Sequence, residues 1–429
     1  MLVAHLGEII LRNNFAIAFQ IKYLGFVENI EESNFMRSLS TEHQQENQSP
    51  LYKDKNLLII FTVSLITFLV LASIPPAFPK IIQALNVPPQ KIGLLISVFS
   101  FPSLVFGPVV GVLADRIGKK TILVPSLVLF GIAGTACAFA RDFNLLLWFL
   151  FLQGIGAASL HSLTIALISD LYSGTRRTTA IGYNTSLINA SMAIYSIIGG
   201  ALAVMGWYYP FLLSLAALPV ALLVWFGFKN PEPTGEKPLN VNLLNALKSL
   251  RNRQLAGLFI ASTAQFMLLY GALRTYLPLL IAHSFKSSSW IIGLILASLP
   301  VAMAIAAWQV GRLARRFSET TLIRASFVVY ALALLSVPFV SSLWLLLIPT
   351  VMFGIGFGIC SPIILSLVAS RASKEYLAMV ISVNGTFCNV GRIIGPMLMG
   401  VALGIGGISS VFYVGAGIAI AIFVLFRYF

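Results

Sequence analysis

The sequence predicts an all-α polytopic membrane protein, with twelve transmembrane helices in two six-helix bundles related by a parallel pseudo-two-fold repeat. Three observations carry this. Of 429 residues, 58% are hydrophobic and 10% charged, whereas soluble domains carry about 25% charged residues. Apolar runs of about 20 residues, enough to cross a bilayer as a helix, recur along the chain. Motifs of the first half return in the second at a constant offset. A single soluble core stops growing at roughly 250–300 residues, so a water-soluble enzyme is excluded. A disordered chain needs low hydrophobicity and is excluded too.

The apolar runs lie near 57–78, 90–112, 121–140, 144–169, 179–204 and 208–228, then near 255–282, 289–312, 321–340, 343–369, 376–402 and 408–427. Alternation of period two is absent, which argues against a membrane β-barrel. Helices satisfy their own backbone groups in lipid.

The charges fix an orientation. The net charge is +14, but its placement is that of a topology signal, not of a nucleic-acid footprint. Seventeen Lys and Arg fall in the even-numbered connections and the tail, and four (Lys80, Lys91, Arg141, Lys286) on the opposite side. By the positive-inside rule both termini are cytoplasmic. All 14 acidic residues lie in the N-terminal arm or in connections.

Residues 1–56 read as a cytoplasmic arm, expected to be disordered. Its stretch 9–27 is apolar but broken by Arg12 and Lys22, which argues against a thirteenth span. Met36 is read as the native start, an expectation that intact mass tests. Residues 57–228 form the first bundle and 255–429 the second. The connection 229–254, with Pro231, Pro233 and Pro238, cannot continue a helix and reads as a cytoplasmic linker. Cys137, Cys360 and Cys388 sit in apolar runs without metal or disulfide spacing.

The repeat has an offset of 200 residues. Ile92-Gly93-Leu94 returns as Ile292-Gly293-Leu294, and Gly154-Ile155-Gly156 as Gly354-Ile355-Gly356. Asn184, Asn189 and Gly200 return as Asn384, Asn389 and Gly400. Parallel halves related by an axis along the membrane normal enclose a midplane cavity and rock against each other, as secondary transporters do.

Between the second and third spans stands Gly111-Val112-Leu113-Ala114-Asp115-Arg116-Ile117-Gly118-Lys119-Lys120. Glycines permit a tight turn there, and Arg116, Lys119 and Lys120 hold the loop at the cytoplasmic face. With this motif the chain resembles the major facilitator superfamily over residues 57–429. The resemblance implies that fold and assigns Gly111, Asp115, Arg116, Gly118, Lys119 and Lys120 to a gate that stabilises the outward-open state. Gln153-Gly154-Ile155-Gly156 and Asp170-Leu171-Tyr172 further resemble the twelve-helix drug:H+ antiporter branch. Two positions depart from that branch. Leu150 stands where its fourth helix has a proton-coupling arginine. Tyr195-Ser196-Ile197-Ile198-Gly199-Gly200 lacks the Gly-Pro of its fifth-helix motif, which Gly395-Pro396-Met397-Leu398-Met399-Gly400 keeps.

Polar residues within spans are functional candidates. Tyr270 and Arg274 share a face of the seventh span, which lines the cavity in this fold. Asn389 and Arg392 neighbour one another in the eleventh. Gln153 and His161 share a face of the fourth, and His161 is the side chain there able to titrate near neutral pH. Arg274, Tyr270, Gln153, His161, Asn189 and Arg392 are therefore the expected substrate contacts, with Asn184, Gln265, Tyr195 and Tyr276 as further cavity candidates. His161 is the expected proton carrier. No catalytic constellation, metal set, cofactor site or ATP-binding loop is present in the sequence.

The resulting expectation is a monomeric, multi-pass transporter of the bacterial inner membrane. It would export small, partly hydrophobic compounds, with protons as coupling ion and the lipid bilayer and the substrate as partners. An organic-anion carrier using Arg274 and Arg392, and a non-transporting membrane sensor, are the alternatives. Without a carboxylate in the spans, the expected substrates are neutral or anionic.

Overall fold

Ten helices among the described residues are long and apolar enough to cross a bilayer, and one bent helix pair makes an eleventh. The twelfth is fused into the last element, Leu377–Leu425, whose helical path breaks at Gly406 and Gly407. At Gly407 φ is 75°, a backbone that side-chain-bearing residues rarely adopt.

The structure is a computed structural model describing residues 51, 54–228, 253–371 and 377–426, without the side chains of 108, 111, 112, 115 and 377–379. Most of the expected arm and linker, and the side chain of Asp115, lie outside the described residues.

In chain order the spans are α1 (Lys55–Thr67 and Leu69–Ala84, meeting at 46°), α2 (Leu94–Ile117), α3 (Lys119–Cys137), α4 (Phe143–Leu171), α5 (Gly174–Met205) and α6 (Tyr209–Gly227). Then follow α7 (Arg253–Phe285), α8 (Ser289–Ala314), α9 (Glu319–Phe339), α10 (Leu343–Ser370), α11 (377–405) and α12 (408–425). Local chemistry sets several ends. The Asp142 carboxylate accepts from the backbone N–H groups of Asn144 and Leu145 and caps α4. Ser318 caps α9 through the Thr321 N–H. Gly118, at φ 98°, turns the chain from α2 into α3.

The sequence repeat reappears as a repeat of contacts. Gly154 of α4 packs directly on Phe99 and Pro102 of α2, and Gly354 of α10 on Leu299 and Ala302 of α8. Gly156 packs on Ser126 and Phe130, and Gly356 on Ser326 and Tyr330. Each partner pair is again 200 residues apart. The close approaches need residues without a Cβ, which is how small residues bring helices together where lipid offers no hydrophobic drive.

The halves meet through α5 with α8 and through α2 with α11. These contacts lie at the end reached after odd-numbered helices, called here the odd end. A Cβ on Gly293 would collide with the Ser196 carbonyl. On its repeat counterpart Gly93 it would stand 2.7 Å from Pro396 Cβ and 2.8 Å from the Pro396 oxygen. Ser97 Oγ donates to the Ile393 carbonyl at 2.7 Å. Toward the even end the same four helices stand apart: Gly107, Gly182, Gly311 and Gly385 would meet no heavy atom within 4 Å. The described residues from Lys55 onward form one compact unit.

Candidate functional site: a central aromatic and cationic cleft

The bend of α1 falls at Phe68, whose φ of −104° and ψ of 6° leave the helical region. Phe68 meets the His161 ring of α4 edge-on, with centroids 5.4 Å apart. His161 is exposed although it lies in the interior of α4. The charge of Arg392, on α11 in the other half, acts on it. Tyr195 and Phe68 also pack on a small core of Ala72, Ile188 and Met192, joining α1 to α5.

Arg392 is held by rings. Its guanidinium lies 4.8 Å from the Tyr270 centroid and 5.6 Å from that of Phe266. Phe266 and Tyr270 are one turn apart on α7 with rings nearly parallel, and Phe266 also meets Phe357 of α10. Such cation–π contacts are worth about 0.5–1 kcal/mol when exposed and about 2 when desolvated. Arg392 Nε is buried without a partner, and the side chain makes no hydrogen bond or ion pair among the described residues. Helices α1, α4, α7, α10 and α11 thus contribute Phe68, His161, Phe266, Tyr270, Phe357 and Arg392 around one cleft.

Arg274, an expected cavity residue, lies apart from these rings in this state. The segment Leu268–Tyr276 is a π-helix, in which each turn holds more residues. Thr275 Oγ1 accordingly reaches back five residues to the Tyr270 carbonyl at 2.6 Å. Arg274 is fully buried in the seam between halves and donates from Nη1 to Ser196 Oγ at 3.1 Å. Its Nε and Nη2 have no partner. Ser196 in turn donates to the Met192 carbonyl at 2.9 Å. Tyr276 O–H, at 3.1 Å from the Gln90 carbonyl and 3.2 Å from that of Pro396, ties α7 to the α2–α11 seam.

Gln153, also an expected contact, lies apart from the rings as well. It is fully buried inside the first half, where Nε2 donates to Ser214 Oγ at 2.8 Å beside Gly134. Eight residues separate it from His161, and at 100° per residue they point about 80° apart. Asn189 is half-buried on α5, and Asn184 and Gln265 are buried with Oδ1 and Oε1 unpartnered. Asn384, the repeat of Asn184, accepts from Ser262 at 2.7 Å. Leu150 is buried and lines a small apolar void with Val70, Ile74, Phe78 and Leu95.

In the loop motif, Lys119 pairs with Asp170 at the end of α4, and Lys120 Nζ donates to the Phe228 carbonyl at 2.8 Å. Arg116 is exposed. Sequence reasoning passed over Ser196, Phe68, Phe266 and Phe357 as site residues. Ser196 carried a signal, since it occupies the repeat position of Pro396.

A family model described as Major Facilitator Superfamily matches residues 60–391 and 266–429. The chain is 23% identical over 375 residues to the Quinolone resistance protein NorA of Staphylococcus aureus (strain MSSA476), covering 86% of this chain and 95% of that protein. It is 25% identical over 352 residues to Multidrug resistance protein 1 of Bacillus subtilis (strain 168), covering 81% and 90%. Its fold is similar to that of a D-xylose-proton symporter, with TM-score 0.74, 13% identity, and coverage of 87% of this chain and 96% of that one.

Proposed function

Because the chain belongs to the major facilitator superfamily, we propose that it exports small, partly hydrophobic compounds by alternating access, driven by the proton gradient. It is a secondary transporter of the multidrug-efflux type, not an enzyme, and a multi-pass protein of the inner membrane. The observation that supports the cycle is the asymmetry of the two ends. The four seam helices touch backbone to backbone at the odd end, while their glycines at the even end stand in open space. With the even end cytoplasmic by its Lys and Arg excess, this is an inward-facing state. The halves 57–228 and 255–429 are the moving bodies, and 229–254 tethers them. The loop motif from Gly111 to Lys120 is the cytoplasmic gate that forms in the opposite state. Substrate enters the cleft at His161, Tyr270 and Arg392, beside Asn189. His161 is the proton carrier, in place of the arginine absent at Leu150. The protein works as a monomer.

The test is a substrate panel in proteoliposomes with an imposed pH gradient. The reading expects uphill flux of at least one amphipathic compound, collapsing when the gradient is dissipated. Flux indifferent to the gradient removes the proton coupling, and no flux for any compound removes the transport reading.

A further inference from the structure

The cleft has a charge of one sign. The carboxylates of the described helices, Asp115, Asp142, Asp170 and Glu319, all stand at helix ends. Among the described residues, the charge-bearing groups of the cleft are Arg392 and, when protonated, His161. An arginine at membrane depth without a counter-charge is costly and marks a ligand site by default.

The rings around Arg392 also say how a ligand must approach. Arg392 Cζ stands over the Tyr270 and Phe266 rings, at 4.8 and 5.6 Å from their centroids, so α7 screens one side of the guanidinium. Its N–H groups lie along its edge, in the plane, which suits the parallel two-oxygen geometry of a carboxylate. Nε is already desolvated and unpartnered. The accessible part of the half-buried side chain is its terminal Nη groups, which have no acceptor among the described residues either. Phe266 also meets Phe357, and Phe68 meets the His161 ring, so flat rings recur among the cleft residues.

We propose that Arg392 binds the carboxylate of an aromatic organic anion, with Phe68 and Phe266 framing its ring. The cargo class is thereby an amphipathic acid, an assignment that rests on the transport reading only for what happens after binding. Arg274 takes no part in it, since the seam seals that side chain from the cleft.

The test is calorimetric titration of the full chain in detergent with naphthalene-2-carboxylate and with naphthalene-2-carboxamide, its neutral analogue. The carboxylate is expected to bind about 10-fold tighter or more, the factor that charge-assisted hydrogen bonds supply. Arg392→Gln should bring the carboxylate down to the affinity of the amide, while amide binding, and with it the fold, is kept. Arg392→Lys should recover part of the preference, because the charge remains and the planar fork is lost. Equal affinity of the two probes for the unaltered protein, or no binding of either, overturns the proposal without recourse to a variant. So does a preference that survives in Arg392→Gln. Proteoliposome flux separates this from the transport reading. Carboxylate binding without flux keeps the site and removes transport, whereas flux of neutral compounds with no preference for the acid does the reverse.

Discussion

Arg274 of α7 donates to Ser196 Oγ of α5 across the sealed end, at 3.1 Å and in full burial. The second half has Pro396 at the repeat position of Ser196, and a proline side chain offers no acceptor. The hydroxyl is therefore what admits an arginine to this seam. Two more guanidinium nitrogens, Nε and Nη2, are left without acceptors. Each buried, unmade hydrogen bond costs about 1–3 kcal/mol, and more for a charged group.

Ser196→Ala removes the acceptor. A hydrogen bond to a charged group is worth about 1.5–3 kcal/mol, so the sealed form should lose roughly 10-fold or more in population relative to the open one. Spin labels at Lys80→Cys and Lys286→Cys would report longer distances in the variant. An unchanged distance distribution would show that the bond does not hold the seal.

Gly293 lies where a side chain would strike the Ser196 carbonyl. Gly293→Val should prevent closure of the odd end and lower transport by more than about 10-fold, the loss expected when a rate-limiting conformational step is blocked. Gly417→Ala, at an open position on α12, serves as the comparison and should transport normally. Equal rates in the two variants would contradict the closure geometry.

Removing the imidazole tests proton coupling. His161→Ala should abolish flux driven by a pH gradient, while substrate counterflow, which needs no net proton movement, persists at the lower rate that one lost substrate contact leaves. Undiminished gradient-driven flux in this variant clears His161 of the role.

Gln153 bonds Ser214 within the first half and does not reach the cleft. Gln153→Met should leave the KM for exported compounds within about twofold and change stability by about 1 kcal/mol, the scale of one neutral hydrogen bond. A large change in substrate preference would return Gln153 to the list of ligand-contacting residues.

The spans were legible because lipid imposes one rule on every backbone group, and apolar runs of the required length can be counted. The repeat was legible for a different reason. Glycines at 154, 156 and 293 answer to contacts that both halves must make, so the offset in sequence is the offset in space. Side-chain direction was harder to read. Gln153 and His161 share a broad helical face, yet one turns into its own bundle and the other into the cleft, and periodicity does not separate lipid, bundle and cleft when all are lined by apolar residues. Arg274 and Arg392 looked alike as isolated intramembrane cations. The π-helical segment that carries Arg274, and the α7 rings that face Arg392, are consequences of tertiary packing with no local signature.

The mismatch between Ser196 and its proline counterpart makes the two seams unequal. Where Gly93 backs on Pro396, each polar group in the seam has an acceptor, Ser97 on Ile393 and Tyr276 on Gln90 and Pro396. Where Arg274 is enclosed, separation gains as soon as a few solvent molecules wet the guanidinium. Water reaching the odd end therefore gains most along α5, where the enclosed guanidinium still lacks two acceptors.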